Sequence, residues 1–158
     1  LSYSVAHTDT RFGRAQDIRQ KLAEMTGAEV IDTISKAEPI GPKRLLDCLV
    51  IAPCTGNTLS KLALGITDTP VLMAAKAQLR NGRPLVIGIA TNDGLSGSAR
   101  NIATLLARKN VYFVPYGQDD PKSKPTSLVA RMCDTERTVE EALAGKQVQP
   151  LLVEKWKD

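Results

Sequence analysis

The chain of 158 residues has one histidine and three cysteines, Cys48, Cys54 and Cys133, and no two of those cysteines form a C-x-x-C pair. Such an odd, scattered set offers neither a disulfide framework nor the ligand spacing of a zinc site, and it fits a reducing compartment. Long hydrophobic runs are missing as well. The strongest, Leu85–Ala90, falls far short of the roughly 18 residues that a membrane-spanning helix requires. With no signal peptide at its opening, the chain is expected to be cytoplasmic, with no membrane partner. A serine-hydrolase triad is excluded by the lack of a G-x-S-x-G elbow around which the single His7 could act. A Walker loop and a G-x-G-x-x-G following a strand are both absent, so those routes to a nucleotide phosphate are closed. Internal repeats and low-complexity stretches are absent too, and the proline-containing loops are too short to link domains.

What is present describes an ordinary globular domain. Hydrophobic residues at 42% and charged residues at 24% rule out disorder and fibrous repeats. The length suits one domain, residues 1–158, with one core. The formal net charge is +4, but the basic residues are interspersed with acids, and only Lys122–Lys124 and Arg11–Arg14 are loosely grouped. Nucleic-acid binding normally requires a concentrated basic face, so no nucleic-acid partner is expected.

Leu1-Ser2-Tyr3-Ser4-Val5 alternates apolar and polar positions and predicts a strand. Ile18, Leu22 and Met25 lie at helical spacing, with Gly27 as a stop, so 14–26 is expected to be an amphipathic helix. A β-leaning stretch over Glu29–Ile34 follows, then Pro39, Gly41 and Pro42 interrupt regular structure. Cys48–Ala52 reads as a buried strand ended by Pro53, and a short helix over Leu59–Leu64 comes next. Thr69 as N-cap, Pro70 at the first helical position and Asn81-Gly82 as the stop frame a further helix. Then come a strand at Leu85–Ala90, a polar loop Thr91-Asn92-Asp93-Gly94, a helix over Ser98–Lys109 and a strand at Val111–Val114. The loop Tyr116–Pro125, a helix at Thr135–Leu143 and a tail carrying Trp156, which could dock on a neighbour, complete the chain. Short continuous apolar strands alternating with helices predict an α/β fold, a doubly wound, mostly parallel sheet in a Rossmann-like or flavodoxin-like three-layer sandwich.

In such sheets ligands bind beyond the C-terminal ends of the strands. The loops His7–Gly13, Pro53–Thr58, Thr91–Ser98 and Pro115–Pro125 are therefore expected to share one rim. Thr55-Gly56-Asn57-Thr58 opens a helix, where unpaired N–H groups and a close-approaching glycine suit an anion or the edge of a flavin. The same residue types also serve as simple helix caps, and Asn92-Asp93-Gly94 is equally a common turn. Cys54 reads as a small packing residue before a nucleophile. Asp119 and Asp120 lack the further ligands of a magnesium site and are loop or interface residues, so no metal is expected.

Several blocks together carry a family likeness. Thr8-Asp9-Thr10-Arg11-Phe12-Gly13, Ala37-Glu38-Pro39, Ile51-Ala52-Pro53-Cys54-Thr55-Gly56-Asn57, Met73-Ala74-Ala75-Lys76-Ala77, Gly117-Gln118-Asp119-Asp120-Pro121 and Ser127-Leu128-Val129-Ala130 resemble dipicolinate synthase B subunits over nearly the whole chain. That group is part of the wider family of homo-oligomeric flavin-containing cysteine decarboxylases. The family's P-A-S-A-N-T signature is similar to Pro53-Cys54-Thr55-Gly56-Asn57-Thr58. Of its P-x-M-N signature only Asn92 matches, with Ile89 and Thr91 at the proline and methionine places, and the family's catalytic histidine is missing, with Pro39 near its place.

The resemblance implies an FMN cofactor held by Ser4, Pro53, Cys54, Thr55, Gly56, Asn57, Thr58, Thr91 and Asn92. It further implies that about forty residues, a strand and a glycine-containing loop for the flavin phosphate, precede Leu1. Ser4 is then a remaining phosphate contact at a strand end. The implied activity is that of an oxidoreductase subunit, converting a dihydrodipicolinate-type small molecule to dipicolinate during sporulation. The implied partners are an A subunit that resembles NAD(P)-binding dehydrogenases and further copies of the chain. The alternative is a non-catalytic partner that stabilises the A subunit. No residue is assigned to proton transfer.

Overall fold

The structure, a computed structural model, describes residues 1–10 and 13–154. Arg11 and Phe12 of the family-like blocks, and Trp156 of the tail, lie outside them. Leu49–Cys54 (β1) and Leu85–Thr91 (β2) run parallel, with Leu49 opposite Leu85 and Ile51 opposite Ile87. Val111–Phe113 (β3) adds in parallel to the other side of β2. Beyond β3, the end of β2 takes an antiparallel neighbour, Leu128–Ala130 (β5), which in turn pairs with Tyr116–Gly117 (β4). The sheet is thus mixed and mostly parallel, in the order β1-β2-β5-β4 with β3 beside β2.

Five consecutive buried residues, Leu85 to Ile89, show that β2 is covered on both faces, as expected of a parallel strand flanked by helices. Gly56–Leu64 (helix A), Pro70–Arg80 (helix B) and Ala99–Leu106 (helix C) supply Leu59, Leu72 and Leu105 to the core. Thr135–Leu143 (helix D) packs on β2 and β3. Leu59, Leu72, Leu85, Ile87, Ile89, Leu105 and Phe113 are fully buried. Hydrophobic burial of this kind contributes about 1.5–3 kcal/mol per large side chain. Buried Asn101 donates to the Ser60 hydroxyl at 2.9 Å, tying helix C to helix A.

Most expected elements are present, with instructive differences. Leu1–Val5 is not a strand: Tyr3–His7 forms a short helix capped by Ser2, whose hydroxyl accepts from the Val5 N–H. A strand needs a neighbouring strand. Here the segment packs instead on the amphipathic helix Ala15–Thr26, and a run this short fits either period. That longer helix stops at Gly27, which takes the left-handed conformation at φ +62° that only glycine enters readily. Glu29–Ile34 forms no strand either. Thr33 caps the turn Ile34–Ala37, and Asp32 is held by Arg19 at 2.7 Å and Lys36 at 3.5 Å. Pro53 does not end β1, which continues to Cys54 through a shift of register after Ile51. The helix expected over 98–109 is shorter, Ala99–Leu106, and part of the expected loop after Pro115 is β4.

Candidate functional site

β1 and β2 end side by side, and the segments leaving them meet. Cys54 is fully buried at the end of β1, Pro53 and Thr55 are exposed, and Gly56, Asn57 and Thr58 form the first turn of helix A. Thr55 has the extended backbone of an N-cap, yet its side chain makes no capping hydrogen bond and instead donates toward the Thr58 hydroxyl at 3.5 Å. By contrast, the Thr69 hydroxyl does cap helix B, accepting from the Leu72 N–H at 3.2 Å. Thr55 and Asn57 are exposed and Thr58 is half-buried.

The second segment locks against the first at Gly56. A β-carbon there would lie 2.7 Å from Thr91 Oγ1, 3.1 Å from Asp93 Oδ1 and 3.2 Å from Ser98 Oγ. Real β-carbons do not approach oxygen at the first of these distances, so a side chain at this position would have to displace the Thr91 hydroxyl. The Thr91 hydroxyl donates to the Asp93 carboxylate, and hydrogen bonds from Thr91 and Ser98 hold that carboxyl below its usual range. The Asp93 carbonyl accepts from the N–H groups of Ser96 at 3.0 Å and Ser98 at 3.1 Å. The loop's far side is anchored by the Thr126 hydroxyl, which donates to the Asn92 carbonyl at 2.6 Å. Thr91 is half-buried and Asn92 exposed.

On the other side of the Pro53–Thr58 segment lies a cavity of about 590 Å³ along the outer edge of β1. Pro53, Thr55 and Thr58 stand at it, with Leu22, Ile31 and Val71 among its apolar walls. Ser2 and Val5 also line it, but Ser4 does not; it is exposed within the first short helix. The strand expected to deliver Ser4 is helical, so Ser4 does not stand at a strand end. Three of the four expected loops do converge, since Thr126 links the Thr91–Ser98 loop to the segment after Gly117–Pro125. The latter closes on itself, with Gln118 donating to the Pro125 carbonyl at 2.8 Å and Lys124 paired with Asp119 at 3.2 Å. The fourth, around His7, is turned to other contacts: the His7 ring lies 4.8 Å from Tyr3 and Asp9 accepts from the Ala15 N–H.

Burial pushes the Cys54 thiol up to about 12, so it is protonated at neutral pH and acts as packing. Among the described residues no cluster of histidine, cysteine and carboxylate groups could hold a metal ion, and no helix is long and apolar enough to cross a membrane. Sequence reasoning passed over Asp93 as a turn residue and Ser98 as a helix start. The available signal was a strand-end threonine two residues before an aspartate, in a loop facing a glycine-containing helix start.

The model of the flavoprotein family matches residues 5–140. Over 156 residues, 99% of this chain and 78% of the relative, the sequence is 53% identical to the dipicolinate synthase B subunit of Bacillus subtilis (strain 168). The chain belongs to the flavoprotein family, among the dipicolinate synthase B subunits. The crystal structure of the dipicolinate synthase B subunit from Bacillus halodurans C agrees, with a TM-score of 0.89 at 53% identity, covering 98% of this chain and 80% of that one. An FMN-dependent cysteine decarboxylase, SpaF, has a TM-score of 0.58 at 20% identity over 82% of this chain and 73% of its own. That last likeness is one of fold alone.

For a flavoprotein-family chain the site must suit a flavin. Thr55 and Thr58 stand with Pro53 at the mostly apolar cavity, and Asn57 and Asn92 are exposed on the two segments that meet at Gly56. This combination fits the flat ring of a flavin, with its apolar faces and its edge of carbonyl and N–H groups.

Proposed function

We propose that this flavoprotein-family chain binds FMN and serves as the B subunit of a dipicolinate synthase. In this role it works with an NAD(P)-dependent A subunit to oxidise a dihydrodipicolinate-type precursor to dipicolinate in the cytoplasm of a sporulating cell. The observation that carries the proposal is the 53% identity to a dipicolinate synthase B subunit over 99% of the chain. The convergence of Pro53–Thr58 with Thr91–Asn92 at one rim supports it. Thr55, Asn57, Thr58 and Asn92 are the residues that would hold the ring edge, with Pro53 and Cys54 shaping the strand end beneath them. Gly56 and Thr91 set the spacing between the two segments.

When bound, a flavin supplies the capacity to take up a hydride from a dihydropyridine-type substrate, whose aromatisation favours the step. The chain's own part is to orient the reactants and exclude water at the strand ends. The test is fluorescence titration of FMN with the full-length protein. Saturable quenching at micromolar concentration is expected, and no detectable affinity removes the flavin reading.

A second reading, a non-catalytic partner that stabilises the A subunit, is favoured by one specific observation. None of the residues gathered at the rim is a histidine, and the one thiol there, Cys54, is buried and protonated. An A subunit that turns over at its full rate without this chain would support that reading. We further propose that the chain self-associates, and sedimentation at micromolar concentration is expected to show a species heavier than the monomer.

A further inference from the structure

We infer that Asp93 is the positioning residue of the flavin rim, coupling the end of β2 to the first turn of helix A so that Thr91–Asn92 and Pro53–Thr58 keep one relative placement. This deepens the FMN reading above and rests on it. The Asp93 carboxylate receives the Thr91 hydroxyl and lies with Thr91 and Ser98 against the bare Cα of Gly56. Its backbone carbonyl gathers two N–H groups and the Ser96 hydroxyl at 3.2 Å. On the opposite side of the loop, Leu95 and Asn92 are bonded to Thr126. Asp93 is therefore the hub of a loop fixed at both ends, and its carboxylate is the part that faces the helix A segment.

A carboxylate suits this hub because it accepts from more than one hydroxyl and has no N–H to misplace. Its charge also stands beside the start of helix A, where the helix dipole favours an anion. The protein's own carboxylate thus serves that end of the helix, and a second anion would be repelled. It follows that the Pro53–Thr58 segment takes the uncharged ring of the flavin and not its phosphate.

The experiment measures binding of FMN and of riboflavin, which lacks the phosphate, to the full-length protein and to its Asp93→Ala and Asp93→Asn variants. Absorption spectra of the flavin at saturation are recorded alongside thermal unfolding. Loss of a charge-assisted hydrogen-bond hub predicts about tenfold weaker binding for Asp93→Ala and a smaller loss for Asp93→Asn. Both flavins should weaken by the same factor, the flavin spectrum should be altered, and the unfolding midpoint should stay within about 4 °C of the parent. If Asp93→Ala does not fold, Asp93→Asn carries the test. Affinity and spectrum unchanged in the variants, or a loss that only follows a lowered unfolding midpoint, overturns the inference while leaving the flavin reading intact. Tightened FMN binding relative to riboflavin would place the phosphate at this helix end and overturn it too. Failure of the unaltered protein to bind either flavin removes the reading and the inference together.

Discussion

At the residue scale, the site turns on side chains whose importance lies in what touches them. Gly56 is adjacent to three oxygen-bearing side chains from the other strand end. Gly56→Ala is expected to force Thr91 and Asp93 back, costing about 1–3 kcal/mol of stability as overpacking commonly does, and to weaken flavin binding. Chemical denaturation of parent and variant, paired with FMN titration, checks both. Asn57 is the converse case, on the first turn of helix A and clear of the core. Asn57→Ala is expected to leave stability within about 0.5 kcal/mol, because the side chain is exposed, while weakening FMN binding as the proposed site requires. An Asn57→Ala protein that binds FMN like the parent would remove this residue from the site.

At the scale of elements, helix A carries the rim and is itself held from below by Leu59, which is fully buried. Leu59→Ala leaves a cavity under the site, and a loss of about 2–5 kcal/mol is expected in urea or guanidinium unfolding. The elements that could be read from the chain are those with local signals. Helix B shows its N-cap Thr69, its Pro70 start and its Asn81-Gly82 stop, and is observed over Pro70–Arg80. Helix D was expected over Thr135–Leu143 and is found there. The unread elements are those that depend on distant partners. β4 and β5 span two and three residues, too short for a period to show, and β5 exists because Val129 pairs with Ala90 across the sequence. The helix at Tyr3–His7 is the reverse error. An alternating pattern was present, but packing on the neighbouring helix, not a strand neighbour, determined its form.

At the scale of the whole molecule, charge sets the limits of stability. The carboxyls of Asp32, Asp93 and Asp119 are all held below their usual range. At Asp32 burial opposes this and is outweighed by Lys36 and Arg19; at Asp93 the Thr91 hydroxyl leads, and at Asp119 the Ser127 hydroxyl. A lowered folded-state value means that their contribution is complete above the unfolded value of about 4 and is lost as pH falls through the folded values. Cys54 works in the opposite sense. Its value is raised to about 12, so its contribution is complete below the ordinary thiol range and is lost as pH rises toward that value. Denaturation followed across pH is expected to show a plateau from about pH 5 to 8 with losses on both sides. Acid loss that begins well above pH 5 would contradict it.

The sequence by itself determined the alternation of apolar strands with capped helices, and with it the α/β class and the loops at which a ligand could sit. Those features rest on local causes: the period of hydrophobic residues, the cap at Thr69, the stop at Gly27. The family-like segment Pro53–Thr58 was likewise legible, because its residues are contiguous. Only the tertiary structure decided that Gly56 stands against Thr91, Asp93 and Ser98 and that Thr126 holds the loop at Asn92. Each of these depends on which atoms from separate segments come within about 3 Å of one another, a distance that no local pattern along the chain encodes.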